Sequence, residues 1–135
     1  MIYLTKRFEY TISDRSFSES ETKKIFADAG IDWPTRAERY EQLKGTIFQE
    51  VDGEWWISYL DGKPVGSYGI AKFEGVYLSL GARSYSAGAG EFASRYVVNK
   101  HGDKPILANG ATQDGVKLLN KLKFKPIEVK NGLIQ

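Results

Sequence analysis

Gly81-Ala-Arg-Ser-Tyr-Ser-Ala-Gly-Ala-Gly90 is a run of small residues that follows a strand-like stretch and precedes a helix-like one. A strand that runs through a glycine-rich loop into a helix aims several backbone N–H groups at one point, where the helix N-terminus adds positive potential. Such a loop suits a pyrophosphate. Gly88 and Gly90 let an anion approach the backbone, and the small Ala87 and Ala89 keep the path open. The same residues serve equally well where the only need is tight packing, and both readings stand at this point.

Upstream of the loop the pattern has the period of strands. Val76-Tyr-Leu-Ser-Leu80 is the last strand of a meander, Lys63–Phe73 is its longest, and Asp52-Gly53, Asp61-Gly62 and Glu74-Gly75 mark its turns. The meander begins at Thr46. Before it, Ser18-Glu-Ser-Glu21 and Thr35-Arg-Ala-Glu38 read as capping boxes that open two helices. The first ends before Gly30 and the second at Gly45, with Ala37, Tyr40 and Leu43 on one side. Residues 2–12 alternate as a strand.

Downstream, Phe92, Tyr96 and Val97 fall at helical spacing over residues 91–100, and Gly102 stops the helix. His101 then lies at a helix C-terminus, where a solvent-facing partner of the helix dipole is expected rather than a base. Pro105-Ile-Leu-Ala108 is a short buried strand, residues 113–122 a helix with Val116, Leu119 and Leu122 inward, and residues 124–129 a strand turned by Asn131-Gly132.

The chain has 135 residues and is 41% hydrophobic, which fits a single domain over residues 1–135. It has no cysteine and one histidine, so disulfides and thiolate metal sites are excluded and zinc has no ligand set. Charges within the first ten residues and the lack of any long apolar run give no signal peptide and no membrane span, and set cytoplasm as the expected location. The net charge of +2 is uneven: residues 1–94 carry 11 basic and 14 acidic side chains, residues 95–135 carry 8 and 3. An anionic ligand is better placed near the C-terminal third. A nucleic-acid partner is argued against by the small net charge and by the lack of interleaved aromatic and basic residues there.

The order of strand, helix pair, meander, glycine-rich loop, helix, strand, helix and hairpin resembles the GNAT (N-acetyltransferase) superfamily over nearly the whole chain. Asp61-Gly-Lys-Pro-Val-Gly66 is similar to the turn of that family's early meander. Tyr85-Ser-Ala-Gly88-Ala-Gly90 stands where the family has Arg/Gln-x-x-Gly-x-Gly/Ala, with Tyr85 at the leading position and Arg83 two residues earlier. Leu118-Leu-Asn-Lys-Leu-Lys-Phe124 resembles Leu-Tyr-x-Lys-x-Gly-Phe. Leu119 replaces the tyrosine that commonly protonates the departing thiolate, and Lys123 replaces the glycine. Thr112 takes the place of a frequent Asn and also reads as the N-cap of the last helix.

The resemblance implies an α+β fold: a mixed, mostly antiparallel twisted sheet flanked by about four helices, with a splayed V at the cofactor site. It implies acetyl-CoA as co-substrate between the Val76 and Pro105 strands. Pantetheine would pair with backbone around Leu80 and Ala82, and the diphosphate would lie on Tyr85, Ser86, Ala87, Gly88, Ala89 and Gly90, with Thr112 nearby. The acceptor, an amine of a small molecule, peptide or protein, would enter from the other side. There Trp33, Trp55 and Tyr59 are candidates to line its pocket, although Trp55 and its neighbour Trp56 point to opposite faces of a strand. Acetyl transfer needs a neutral amine, an oxyanion donor and a proton for the sulfur. A backbone N–H near Leu80 fits the second need, and Glu74, Tyr77 and Ser79 are candidate acid–base residues, each also explicable as an ordinary structural residue. With Tyr85, Leu119 and Lys123 at family positions, the alternative is a GNAT-like binding or structural module without catalysis, similar to some phage proteins. Residues 131–135 are open to pairing with a second subunit in a homodimer or with nothing.

Overall fold

The computed structural model describes residues 1–2, 9–39, 44–109 and 113–126. Among these residues one five-stranded sheet runs in the order β1 (Thr11–Ile12), β2 (Glu54–Leu60), β3 (Lys63–Phe73), β4 (Val76–Ser84) and β5 (Ile106–Leu107). The first four are antiparallel neighbours, and β5 joins β4 in parallel. Turn chemistry builds the meander. Asp61 and Gly62 have φ of 51° and 79°, and Glu74 and Gly75 have 44° and 82°. Two successive left-handed residues give the hairpin turn whose twist matches that of the strands.

β3 has its expected bounds, whereas β4 continues past Leu80 because residues 81–84 keep pairing with β3, up to Ser84 opposite Gly66. The small-residue loop is therefore shorter than the sequence suggests. Of the strand expected over residues 2–12, Thr11 and Ile12 are seen, and residues 3–8 lie outside the described residues. Phe124 to Pro126 are not in a strand, and the rest of that expected strand, with the tail at 131–135, also lies outside.

Among the described residues five helices accompany the sheet: α1 (Glu19–Asp28), α2 (Arg36–Arg39), α3 (Ile47–Glu50), α4 (Ala89–Lys100) and α5 (Gln113–Lys121). The first capping box forms in both directions. Glu21 N–H donates to Ser18 Oγ at 3.1 Å, and Ser18 N–H donates to Glu21 Oε1 at 2.9 Å. In α2 the inward residue is Arg36 rather than Ala37, which is exposed; Tyr40 and Leu43 lie outside the described residues. Residues 47–50 form a helical turn where the sequence predicts the first strand of the meander. That turn sinks Phe48 into the core and presents the Phe48 and Val51 carbonyls to the Arg36 guanidinium at 2.7 and 3.0 Å. α4 starts two residues early and turns Ala93 and Val97 inward, leaving Phe92 and Tyr96 each 37% exposed. In α5, Leu118 and Leu119 are half-buried, as is Leu122 just after it, and Val116 points outward.

Each face of the sheet carries its own core. Phe26, Trp33, Phe48, Trp55, Ile57 and Leu78 pack on the side of α1 and α3, and Trp56, Tyr68, Ile70, Tyr77, Ala93 and Val97 pack on the side of α4. Trp55 and Trp56 take opposite faces, as strand alternation requires, and both are core. Gly69 makes room for the first of them: a Cβ there would lie 2.3 Å from Trp55 Nε1. We expect Gly69→Ala to cost about 1–3 kcal/mol by overpacking. Urea denaturation of the two proteins measures it, and an unchanged midpoint would refute it.

Candidate functional site

β3 and β4 stay in register from their turn to Ile70 and Ser79, after which Gly69 faces Gly81 and Leu80 is left over. A bulge of this kind bends the strand and changes which side chains share a face. Leu78 and Leu80 pack in the first core, whereas Ala82 packs against the second. β5 pairs with β4 only at Tyr77 and Leu78. Beyond that point the two segments part.

The gap is a cavity of about 350 Å³. Its walls are β4 from Ser79 to Ser84, Ala108 and Asn109 after β5, and the leucines of α5. Arg36, Arg39 and Phe48 approach it from the helices of the first face, and Tyr68 and Gly90 from the second. It therefore runs along the edge of β4 and draws its walls from both sides of the sheet.

Of the candidate acid–base residues, only Ser79 lines this cavity. Glu74 is exposed at the tip of the β3–β4 turn. Tyr77 lies on the second face, its hydroxyl donating to Asp103 Oδ1 at 3.3 Å and its ring edge-on to His101 at 4.8 Å. Burial, and then the Asp103 carboxylate, raise the pKa of Tyr77, which keeps it protonated and unsuited to be a base. His101 does sit at the C-terminus of α4, but buried rather than facing solvent. Its Nδ1 lies 2.8 Å from the Val97 carbonyl, an acceptor only, so Nδ1 carries the hydrogen.

Trp33 and Trp55 are each 1% exposed, and Trp33 Nε1 donates to Ser67 Oγ at 3.0 Å, so both are structural and neither lines an open pocket. Tyr59 is half-buried against the same core, and burial, with Asp14 adding to it, raises its pKa. Leu80 and Ala82 are on the cavity wall. Thr112 lies outside the described residues.

The loop itself lies at the surface, with Ser84, Tyr85, Ala87 and Gly88 exposed. Tyr85 packs on Phe26 at 5.3 Å and donates to the Asp32 carbonyl at 3.0 Å, on the first face. Arg83, 5% exposed, donates to the Pro34 carbonyl and covers the Trp33 ring at 4.0 Å, so it does not stand in for the missing leading cation. Gly88 has φ of 79° and open space around it, whereas a Cβ on Gly90 would meet the Arg83 carbonyl oxygen at 2.8 Å. Gly90 is thus required for packing α4 against β4.

Sequence reasoning missed Tyr68, Asn109 and Asp114. The Tyr68 hydroxyl lies 2.5 Å from Ser79 Oγ, and burial pushes its pKa from 10.0 up to about 12. At neutral pH Tyr68 is therefore a proton-bearing donor to Ser79. Because the folded state holds this proton more tightly than the unfolded chain, the related stability is whole below pH 10.0 and is lost as pH rises toward about 12. Thermal melts between those limits should show a steeper decline for the wild type than for Tyr68→Phe, and equal slopes would contradict this.

No protein-family model matches the chain, and no curated protein matches its sequence. Solved structures do match its shape. The ribosomal-protein-alanine N-acetyltransferase of Brucella melitensis biovar Abortus is similar with a TM-score of 0.55 at 14% identity, over 93% of this chain and 98% of its own. A predicted acetyltransferase of Clostridium acetobutylicum, solved with acetyl-CoA, gives 0.52 at 12% identity over 96% of each chain. An aminoglycoside 6′-N-acetyltransferase of Acinetobacter haemolyticus gives 0.53 at 12% identity, over 93% of this chain and 97% of its own.

Proposed function

We propose, from the GNAT fold that this chain has, that it transfers an acetyl group from an acetyl thioester, acetyl-CoA, to an amine. The observation that carries the reading is the parting of β4 and β5 beside the Leu80 bulge. An arm bearing amides fits there, because the β4 edge beyond Leu78 has no partner strand among the described residues and can pair with it. The thioester supplies an activated acetyl group.

The residues of the chain divide the remaining work. Leu80 is left out of the β3 register, so its N–H is the donor proposed for the carbonyl oxygen as charge builds there. Ser79 gives its proton to the departing sulfur as Tyr68 passes its own to Ser79 across their 2.5 Å contact, and Tyr68 regains a proton from water when the products leave. The amine enters on the side of Arg36, Arg39 and Phe48 and loses its proton to water.

The second reading, a module without catalysis, draws on Leu119, which puts an apolar side chain on the cavity wall where the family has a hydroxyl. Thiol release separates the two. The chain has no cysteine, so a thiol reagent reads only free CoA. Acetyl-CoA is incubated with peptides bearing free N-termini, polyamines, aminoglycosides and arylamines. Amine-dependent thiol release, with the acetylated amine found by mass spectrometry, supports transfer. Acetyl-CoA binding without release from any acceptor supports the module.

A further inference from the structure

We infer that the chain recognises its acyl donor by the pantetheine arm and not by the diphosphate, so an acyl-pantetheine lacking the nucleotide serves as well as acetyl-CoA. The inference rests on the acyl-transfer reading above and concerns the loop that precedes α4.

A phosphate-holding helix start needs free N–H groups. Here the loop uses the two at the first positions of the helix itself. Ala89 N–H donates to the Ser86 carbonyl at 3.0 Å, and Gly90 N–H donates to Ser84 Oγ at 3.0 Å. The Ser84 hydroxyl in turn donates to the same Ser86 carbonyl at 2.7 Å, which closes the turn on itself. The third residue of the helix is Glu91, whose carboxylate lines the cavity and already engages two cations, Arg95 at 3.7 Å and Lys121 at 3.3 Å. Asp114, on the first turn of α5, brings another carboxylate.

The remaining groups near the loop are committed elsewhere. Tyr85 and Arg83 are held on the first face by the Asp32 and Pro34 carbonyls. The Tyr10 hydroxyl covers the loop from outside, against Ser86 Oγ at 2.8 Å and the Ala87 carbonyl. A diphosphate placed here would displace internal hydrogen bonds, compete with Glu91 for Arg95 and Lys121, and meet the Asp114 carboxylate. The pantetheine arm meets none of these obstacles, because its amides pair with the β4 edge along Leu80 and Ala82.

The test compares ligands on the intact protein by titration calorimetry. CoA and pantetheine should bind with dissociation constants within about threefold of each other, since each tenfold would signal a real diphosphate contribution. Adenosine 3′,5′-bisphosphate should not compete, and CoA binding should be insensitive to added salt. Ala87→Glu, at an exposed position with ordinary backbone angles, should leave CoA binding unchanged. In the thiol-release assay S-acetyl-pantetheine should match acetyl-CoA in kcat/KM within about fivefold, a ratio of transition-state stabilisation. CoA binding about a hundredfold tighter than pantetheine, with the difference lost in Ala87→Glu, would overturn the inference and leave acyl transfer standing. Binding of neither would overturn acyl transfer and this inference with it.

Discussion

Arg36→Ala should cost about 3–5 kcal/mol, the range for removing one partner from a buried ion pair. The guanidinium is 7% exposed and joins four elements. Its Nε meets Glu19 Oε2 of α1 at 3.2 Å, its two terminal nitrogens bond the Phe48 and Val51 carbonyls at the ends of α3, and it lies 5.2 Å over the Trp55 ring of β2. Alanine would leave buried carbonyls without donors and Glu19 without its cation, and each such group costs its own desolvation. Lysine would not restore this, because one ammonium cannot reproduce the planar fork. Domains of this size are stable by only about 5–15 kcal/mol, so the variant should lose a large share of its stability. Chemical denaturation with CD and tryptophan fluorescence reads the effect. A loss below about 1 kcal/mol would class the pair with exposed salt bridges and refute the buried network.

The second large effect concerns activity. Ser79→Ala should lower kcat by about 10²–10⁴-fold, the usual contribution of a positioned proton donor. KM for the thioester should hold, and stability should fall by about 1–3 kcal/mol, because the buried Tyr68 hydroxyl is left without its acceptor. Tyr68→Phe should lower kcat less, since Ser79 remains and water can resupply it. A Ser79→Ala enzyme with wild-type kcat would remove Ser79 from the chemistry, and a raised KM at constant kcat would make it a binding residue.

The legible parts of the fold were those encoded locally. Asp61-Gly62 and Glu74-Gly75 mark their turns because only residues tolerant of left-handed angles sit there, and Ser18 with Glu21 marks a helix start by reciprocal hydrogen bonds. The bulge at Leu80 has no such local mark. Counting back from the Glu74-Gly75 turn in an unbroken ladder sets Tyr68 opposite Gly81, whereas the structure sets it opposite Ala82. That single step decides which β3 side chains accompany the second face of β4 beyond the bulge. Arg36 was hidden for a related reason: a charged residue reads as surface until its partners, 12 and 17 positions away in sequence, are known to surround it. The glycine-rich loop shows the opposite case, since its composition is visible but not the hydrogen bonds by which it satisfies itself.

The short seam between β4 and β5 has one more consequence. Two residue pairs hold β5 to the sheet, and α5 behind it has no fully buried residue, whereas β3 is paired along both edges. Segments with few buried contacts open at free energies well below that of global unfolding. Backbone amides of α5 should therefore exchange with deuterium long before those of β3, and a bound thioester arm, bridging β4 to the leucines of α5, should slow them selectively. The protein would then behave as a firm meander with a hinged wall, and the lifetime of its complexes would be governed by how often that wall lifts.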